Sequence, residues 1–105
     1  MANYTNISGT TEVNIIPMNT GNGNISVLTL SNTHTHVFTA DVYVKDASGT
    51  VFYIIKSVSI EPGSTLVLEG TYVALNSRQK GLWVKLNAAT SGTSTATVIT
   101  KLNKI

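Results

Sequence analysis

The chain has 105 residues, a formal net charge of +2 and no cysteine, and only 11% of its residues are charged. This length suits one domain with a single core. The lack of cysteine excludes a disulfide framework, a thiolate nucleophile and a thiolate metal site. The basic residues are few and scattered, so we expect no nucleic-acid partner, because phosphate binding needs several basic contacts on one face.

The first ten residues are polar and contain a glycine, which predicts a flexible N-terminal arm over residues 1–10. They show neither a basic start nor an apolar run, so we expect no signal peptide. No stretch of the chain approaches the roughly 18–20 apolar residues of a transmembrane helix, so we expect no membrane partner.

From residue 11 onward, short apolar alternations separated by turn residues predict strands. We place them at about 11–18, 25–31, 37–45, 50–58, 64–69, 71–75, 81–87 and 95–104. Short strands with a turn about every ten residues are typical of sandwiches and jelly rolls. The sequence therefore predicts one all-β domain over residues 11–105, an antiparallel β-sandwich or jelly-roll-like fold of about seven to eight strands.

Three local features refine this prediction. Pro17 has no N–H to donate, so it should lie on an edge or at a strand end. The stretch from Asp46 to Gly49 is a turn signal and predicts a hairpin between strands 37–45 and 50–58. Residues 51–55 are apolar on both faces of their strand. Either a loop of the same chain covers this strand, or one of its faces is an intermolecular contact.

Both histidines lie in the polar stretch 31–36, as His34 and His36. Side chains two positions apart on a strand share a face, so the pair could contribute to a metal site. Such a site needs further ligands, and the five carboxylates are not spaced in a metal-binding motif with the pair. We interpret the histidines as part of a solvated corner. An assembly contact and a metal site, including one gathered on a symmetry axis, remain as alternatives.

The sequence indicates no enzyme, no catalytic residue and no cofactor. There is no nucleophile elbow, and neither histidine has an evident orienting acid. The carboxylates are scattered as Glu12, Asp41, Asp46, Glu61 and Glu69. The glycine-rich stretch 21–24 lacks the lysine and the following helix of a phosphate loop.

Aromatic side chains are the better functional candidates. The strand alternation predicts that Tyr43 and Trp83 point outward, while Tyr4 and Tyr72 lie near segment ends. We take Tyr4, Tyr43, Tyr53 and Trp83 as candidate interface residues, since Tyr and Trp are enriched at interface hot spots. The same residue types stack on sugars, so a carbohydrate-binding or adhesive module with a glycan partner is the alternative. A surface rich in hydroxyls and amides and poor in charge favours assembly, because such groups cost less to bury than ions.

One stretch resembles a known class of proteins. Residues 40–75, "ADVYVKDASGTVFYIIKSVSIEPGSTLVLEGTYVAL", combine an alternating strand, a D-x-x-G-type hairpin, a second strand and the motif "I-x-P-G-S-T-L-V-L". This pattern resembles short all-β virion proteins of tailed bacteriophages, particularly of cyanobacterial and marine phages. The stretches "ISVLTLSNT" at 25–33 and "ATVITKLNKI" at 96–105 resemble an early core strand and a closing strand of the same proteins.

The resemblance implies a structural virion component, assembled in the host cytoplasm. It would be a capsid decoration (cement) protein, or a small neck or tail protein. It also implies oligomerisation and contacts with major capsid, connector or tail proteins, and it brings no catalytic residues. The basic turn at residues 76–81 departs from the acidic turn that such proteins usually carry there, so binding details of those proteins do not carry over to this turn, and a different neighbour is an alternative.

Overall fold

The computed structural model describes the backbone of residues 2–18, 22–76 and 79–104, with the side chains of residues 2, 22, 24, 69–76 and 102–104 left out of the description. All the regular structure in these ranges is β. The strands are β1 (Ala2–Ser8), β2 (Val13–Ile16), β3 (Asn22–Asn32), β4 (Phe38–Asp46), β5 (Val51–Ile60), β6 (Thr65–Asn76), β7 (Lys80–Leu86) and β8 (Thr95–Lys104).

The strands form two antiparallel sheets that pack face to face. Sheet A has the order β1-β8-β3-β6, and sheet B has the order β2-β7-β4-β5. This arrangement confirms the prediction of a single all-β sandwich. Among the residues that the structure describes, none belongs to a helix of the length and hydrophobicity that a bilayer crossing requires.

The core lies between the sheets and follows from the two-residue period of the strands. In β4, Val42 and Val44 face the core and Tyr43 faces away from it, as the alternation predicts. The other buried apolar residues that fill the core come from both sheets, and include Ile7, Ile16, Leu28, Leu30, Phe38, Leu82, Val84, Leu86 and Val98.

The N-terminal segment differs from the prediction of a flexible arm over residues 1–10. Ala2–Ser8 instead forms β1, whose seven residues pair in unbroken register with β8. The alternation did not predict this strand because its residues are mostly polar, and among its described side chains only Ile7 reaches the buried core. The chain orders this segment through its own β8, without needing a neighbouring molecule.

The predicted strands at 64–69 and 71–75 are one continuous strand, β6. Its register against β3 shifts between Val27, opposite Glu69, and Ile25, opposite Val73. A bulge of this kind adds residues to one strand without ending it. The two predicted strands left out only residue 70, which lies within β6.

The hairpin and the proline lie where the sequence predicts them. The Asp46–Gly49 turn connects β4 to β5, with Gly49 at φ 91° and its N–H donating to the Asp46 carbonyl at 3.0 Å. The Asp46 carboxylate accepts the N–H groups of Ser48 and Thr50, each at 3.0 Å. Pro17 follows Ile16, the last residue of the edge strand β2.

Strand β5 is an edge strand of sheet B and not a central one, and no loop of the described chain covers its two aromatic side chains. Phe52 and Tyr53 are each 50% exposed. Its register against β4 shifts twice, on either side of Val42. Ser57 lies at the shift between Ala40 and Val42. It adopts φ 55°, and its N–H donates to Asp41 Oδ1 at 2.7 Å. The nearly buried Asp41 carboxylate therefore holds a backbone conformation that residues other than glycine rarely adopt.

Candidate interaction surfaces

Three of the four candidate aromatics lie together on the outer face of sheet B. Tyr43 of β4 is opposite Trp83 of β7 on one side and opposite Tyr53 of β5 on the other. The Tyr43 and Tyr53 rings meet edge to face, with centroids 5.5 Å apart. We call Tyr43, Tyr53 and Trp83 the aromatic row.

Tyr43 corrects one prediction. It faces away from the core as expected, yet its side chain is only 4% exposed. Its neighbours in the aromatic row and the side chain of Glu12 cover it, and its hydroxyl donates to Glu12 Oε2. Tyr43 therefore supports the surface from beneath, while Tyr53 and the partly exposed Trp83 are the members that another molecule can reach.

Glu12 holds the middle member of the aromatic row, Tyr43, and no local sequence pattern predicts this role. Its Oε1 accepts a charge-assisted hydrogen bond from Lys45 Nζ at 2.5 Å. This bond, followed by that of the Tyr43 hydroxyl, lowers the pKa of Glu12. Burial and then the Glu12 hydrogen bond raise the pKa of Tyr43. The two shifts fit a carboxylate that stays charged and a phenol that stays protonated.

Lysine side chains cover the faces of the exposed rings. Lys45 Nζ lies 4.0 Å from the ring centroid of Trp83, and Lys56 Nζ lies 4.3 Å from that of Tyr53. These distances are within the range of cation–π attraction, which is worth about 0.5–1 kcal/mol at exposed sites. The accessible part of the aromatic row is therefore a mixed surface of rings and ammonium groups.

Gly81 brings β2 close to this surface. A Cβ at Gly81 would lie 2.9 Å from the Ile16 carbonyl oxygen and 3.4 Å from Trp83 Nε1. Asn14 spans the same gap, with Nδ2 donating to the carbonyls of Ile16 and Leu82 at 3.2 and 3.1 Å. Glycine is the residue that leaves room for this approach.

The outer face of sheet A presents a second and chemically different surface. The strand registers align Tyr4, Ile99, Thr29 and Val67 across all four strands. The apolar members are exposed, Tyr4 at 75%, Val67 at 50% and Ile99 at 36%. We call these four residues the neutral row, because no member carries a charge.

Hydroxyl and amide groups lie beside the neutral row. A second row lies two positions along each strand from the neutral row and consists of Asn6, Thr97, Ser31 and Thr65. Thr97 Oγ1 donates to Asn6 Oδ1 at 2.8 Å, and the Ser31 and Thr65 hydroxyls are 2.8 Å apart. Among the charged side chains that the structure describes, only Lys101 belongs to a strand of sheet A. The sequence indicated a hydroxyl-rich surface but not its concentration on one sheet.

The histidine pair lies in the loop between β3 and β4. The rings of His34 and His36 are 5.4 Å apart, His34 Nε2 is 2.6 Å from the Ser91 carbonyl oxygen, and His36 Nδ1 is 3.1 Å from Thr35 Oγ1. No group of three or more potential metal ligands occurs among the residues described. The geometry is that of a hydrogen-bonded corner within one chain.

Asn32 holds this corner against both sheets. Its buried side chain donates to the carbonyls of Ile60 and His36, at 2.8 and 3.1 Å. Its Oδ1 accepts the His34 N–H at 2.8 Å. In the sequence Asn32 is only one member of a polar stretch, whereas in the structure it joins the end of β3 to the end of β5.

The carboxylates remain apart from one another. Glu12 lies beside the aromatic row, Asp41 binds the Ser57 N–H, and Asp46 closes the hairpin turn. Glu61 is exposed in the turn before β6, and the side chains of Glu69 and Tyr72 lie outside the described residues.

No protein-family model matches the chain, and no curated protein matches it. Among solved structures, PirA is similar, with a TM-score of 0.60 and 17% identity over 95% of this chain and 93% of that one. The Yersinia pseudotuberculosis-derived mitogen is similar at a TM-score of 0.50 and 19% identity, over 100% of this chain and 86% of that one. At these identities the likeness establishes a shared fold alone.

A chain in the structure of infectious bursal disease virus Gx strain aligns with 98% of this chain but only 29% of its own length. The identity is 12% and the TM-score is 0.32, so the match bears on neither fold nor function.

Proposed function

We propose that the protein is a non-enzymatic structural component of a phage virion, a capsid decoration protein that oligomerises and binds neighbouring virion proteins. The observation that carries the proposal is the neutral row on sheet A, where exposed apolar side chains are surrounded by hydroxyl and amide groups. Exposed apolar surface of this kind marks sites of protein contact. Hydroxyls and amides also cost far less to desolvate than ions.

The outer surface of β5 supports the same proposal. Tyr53 is half exposed on the outer face of this edge strand, and Phe52, opposite Val44, is half exposed on its other face. Both lie in the stretch 40–75 that resembles phage virion proteins. Aromatic residues are enriched at interface hot spots because they bury much area at little entropic cost. The protein thus has contact surfaces on both faces, as a component that touches more than one neighbour requires.

A sugar-binding role is less well supported. Stacking on a sugar needs an open ring face, and the lysines lie over the rings of Trp83 and Tyr53 at 4.0 and 4.3 Å. A glycan would first have to displace them. If Trp83→Ala abolished binding on a glycan array while the fold and the solution mass were retained, the sugar-binding alternative would replace the assembly role.

The first test is the mass of the purified protein in solution, measured by light scattering with and without a chelator. We expect a defined oligomer that the chelator does not change, because the His34 corner is complete within one chain. Val67→Asn and Tyr53→Ser remove exposed apolar groups from the two surfaces, and we expect one or both to lower the mass. A monomer at every concentration contradicts self-assembly, and an oligomer that dissociates in chelator makes the histidines metal ligands between subunits.

The virion assignment has its own test. Virus particles purified from the source of the chain should contain its peptides by mass spectrometry, and immunogold label should lie over the capsid. Label confined to the neck or tail would move the protein there. Particles that lack it would contradict the virion role while leaving the solution mass unaffected.

A further inference from the structure

The four edge strands of the sandwich are not equally protected against pairing with another chain. Natural proteins blunt such edges with short strands, bulges, proline or charge. In sheet B, β2 has four residues, a register shift and Pro17 after its end, and β5 has two register shifts and Lys56. In sheet A, β6 has a register shift against β3, between Ile25 and Val27.

Strand β1 has none of these devices. Its seven residues contain no charged residue and no proline, and every one of them is in unbroken register with β8. Its outer face carries Tyr4, the most exposed large hydrophobic residue in the described part of the chain. An unprotected, regular edge is a template for an added strand.

The phase of the β1 hydrogen bonds shows which backbone groups are available at this edge. The Gly9 N–H donates to the Ser94 carbonyl at 2.9 Å, directly after the last pair of the register, Ser8 with Thr95. Bonded and non-bonded pairs alternate in an antiparallel ladder. Asn3, Thr5 and Ile7 therefore direct their backbone groups to β8, and Tyr4, Asn6 and Ser8 direct theirs to the open edge.

We propose that β1 pairs antiparallel with β1 of a second copy of this chain, about a two-fold axis at Thr5. This inference rests on the proposed assembly role and names one interface of that assembly. The two copies of sheet A would become one continuous sheet. A second copy fits because β1 is uncharged throughout, so the strand meets itself without like-charge repulsion.

The placement of the axis follows from overlap. With Thr5 opposite Thr5 of the other copy, all seven residues of each strand are paired, and any other centre leaves some of them unpaired. In this register Tyr4 lies opposite Asn6 of the other copy, and both belong to the set whose N–H and C=O groups face the open edge. The exposed Tyr4 rings then pack over the joined strands on the outer face.

Asn6→Pro tests the backbone contribution. It removes an N–H that points to the open edge and leaves the bonds to β8 in place, a setting in which edge strands tolerate proline. We expect the dimer dissociation constant from analytical ultracentrifugation to rise at least tenfold, with an unchanged circular dichroism spectrum. Asn6→Ala is the matched control, because it removes the same side chain but keeps the N–H. We expect its dissociation constant to stay within about threefold of the wild-type value.

Thr5→Cys tests the position of the axis. Opposed residues in a non-bonded antiparallel pair have Cα atoms about 4.5 Å apart, which a disulfide can span. Since the chain has no other cysteine, mild oxidation should yield a covalent dimer much faster than it does for Thr93→Cys, an exposed loop control.

The outcomes separate the interface from the assembly role. An oligomer that Asn6→Pro leaves intact, with no faster cross-linking of Thr5→Cys, overturns β1 pairing and leaves assembly through other surfaces standing. A wild-type protein that is monomeric at all concentrations overturns both.

Discussion

Replacing Asn32 tests whether one buried amide holds the two sheets together at the end of the sandwich that carries the histidine loop. The side chain is 2% exposed. It makes three hydrogen bonds, to the Ile60 and His36 carbonyls and from the His34 N–H. Asn32→Ala removes all three and leaves the buried Ile60 carbonyl without this donor. The backbone bonds of Asn32 with Gly63 and Ser64 do not depend on the side chain.

The expected cost follows from those bonds. A hydrogen bond contributes about 0.5–1.5 kcal/mol net, and more where its loss leaves a buried group unsatisfied. Three bonds together give about 3 kcal/mol. For a domain near 100 residues, each kcal/mol lowers the melting temperature by roughly 4–8 °C. We therefore expect Asn32→Ala to melt about 12–24 °C below the wild-type protein.

The assay is urea unfolding followed by tryptophan fluorescence, with thermal melting by circular dichroism, at one protein concentration because association shifts apparent stability. Asn6→Ala is the control, since Asn6 is exposed and accepts a single bond from Thr97, and it should change the free energy of unfolding by less than about 0.5 kcal/mol. Asn32→Asp keeps the acceptor but sets it against two carbonyl oxygens, so it should be at least as unstable as Asn32→Ala. A loss below about 1 kcal/mol for Asn32→Ala would refute the role of this residue as the link between sheets.

Three further predictions concern single contacts. Gly81→Ala should cost about 1–3 kcal/mol in urea unfolding, because its Cβ would meet the Ile16 carbonyl oxygen at 2.9 Å. A cost near zero would contradict the close approach of β2 to β7. Glu12→Gln should cost at most about 1 kcal/mol at pH 7, since the ion pair with Lys45 is partly exposed. Folding lowers the pKa of Glu12, so its charge stabilises the protein at pH values above the ordinary pKa of 4.5. The stability advantage of the wild-type protein over Glu12→Gln should therefore disappear as the pH falls below that value. A stability advantage that does not depend on pH would contradict this. Thr100→Val should stabilise the protein by about 1 kcal/mol, because Thr100 Oγ1 is buried and has no hydrogen-bond partner among the described atoms; destabilisation would indicate a partner such as a bound water.

The sequence predicts the fold well wherever the pattern is local. The alternation around Tyr43 assigns Val42 and Val44 to the core, and the Asp46–Gly49 turn joins β4 to β5 as expected. These features depend only on neighbours along the chain. Strand β1 cannot be predicted from such a local pattern, because its side chains are mostly polar and its partner, β8, lies at the other end of the sequence.

The surfaces are harder to predict, because exposure depends on residues far apart in the chain. Tyr43 is covered in part by Glu12, which is 31 positions away, and no local pattern announces that contact. Nor does the pattern of residues 51–55 reveal that β5 is an edge strand, since its apolar faces are equally typical of a central one. The strand order of sheet B decides between these alternatives.

The two outer faces differ in a way that constrains how the protein could assemble. Sheet B carries lysines over its aromatic rings and has bulged or short edges, so contacts there must be made by side chains. Sheet A carries the neutral row and the regular edge of β1, so it can gain both backbone hydrogen bonds and apolar contacts from one partner. Joining two copies at β1 would also place their neutral rows on the same face of a continuous sheet, offset by two residues along the strands, and would double the width of that surface. The two Tyr4 residues, each opposite Asn6 of the other copy, would then lie at the centre of that surface, where a further binding partner would meet them first.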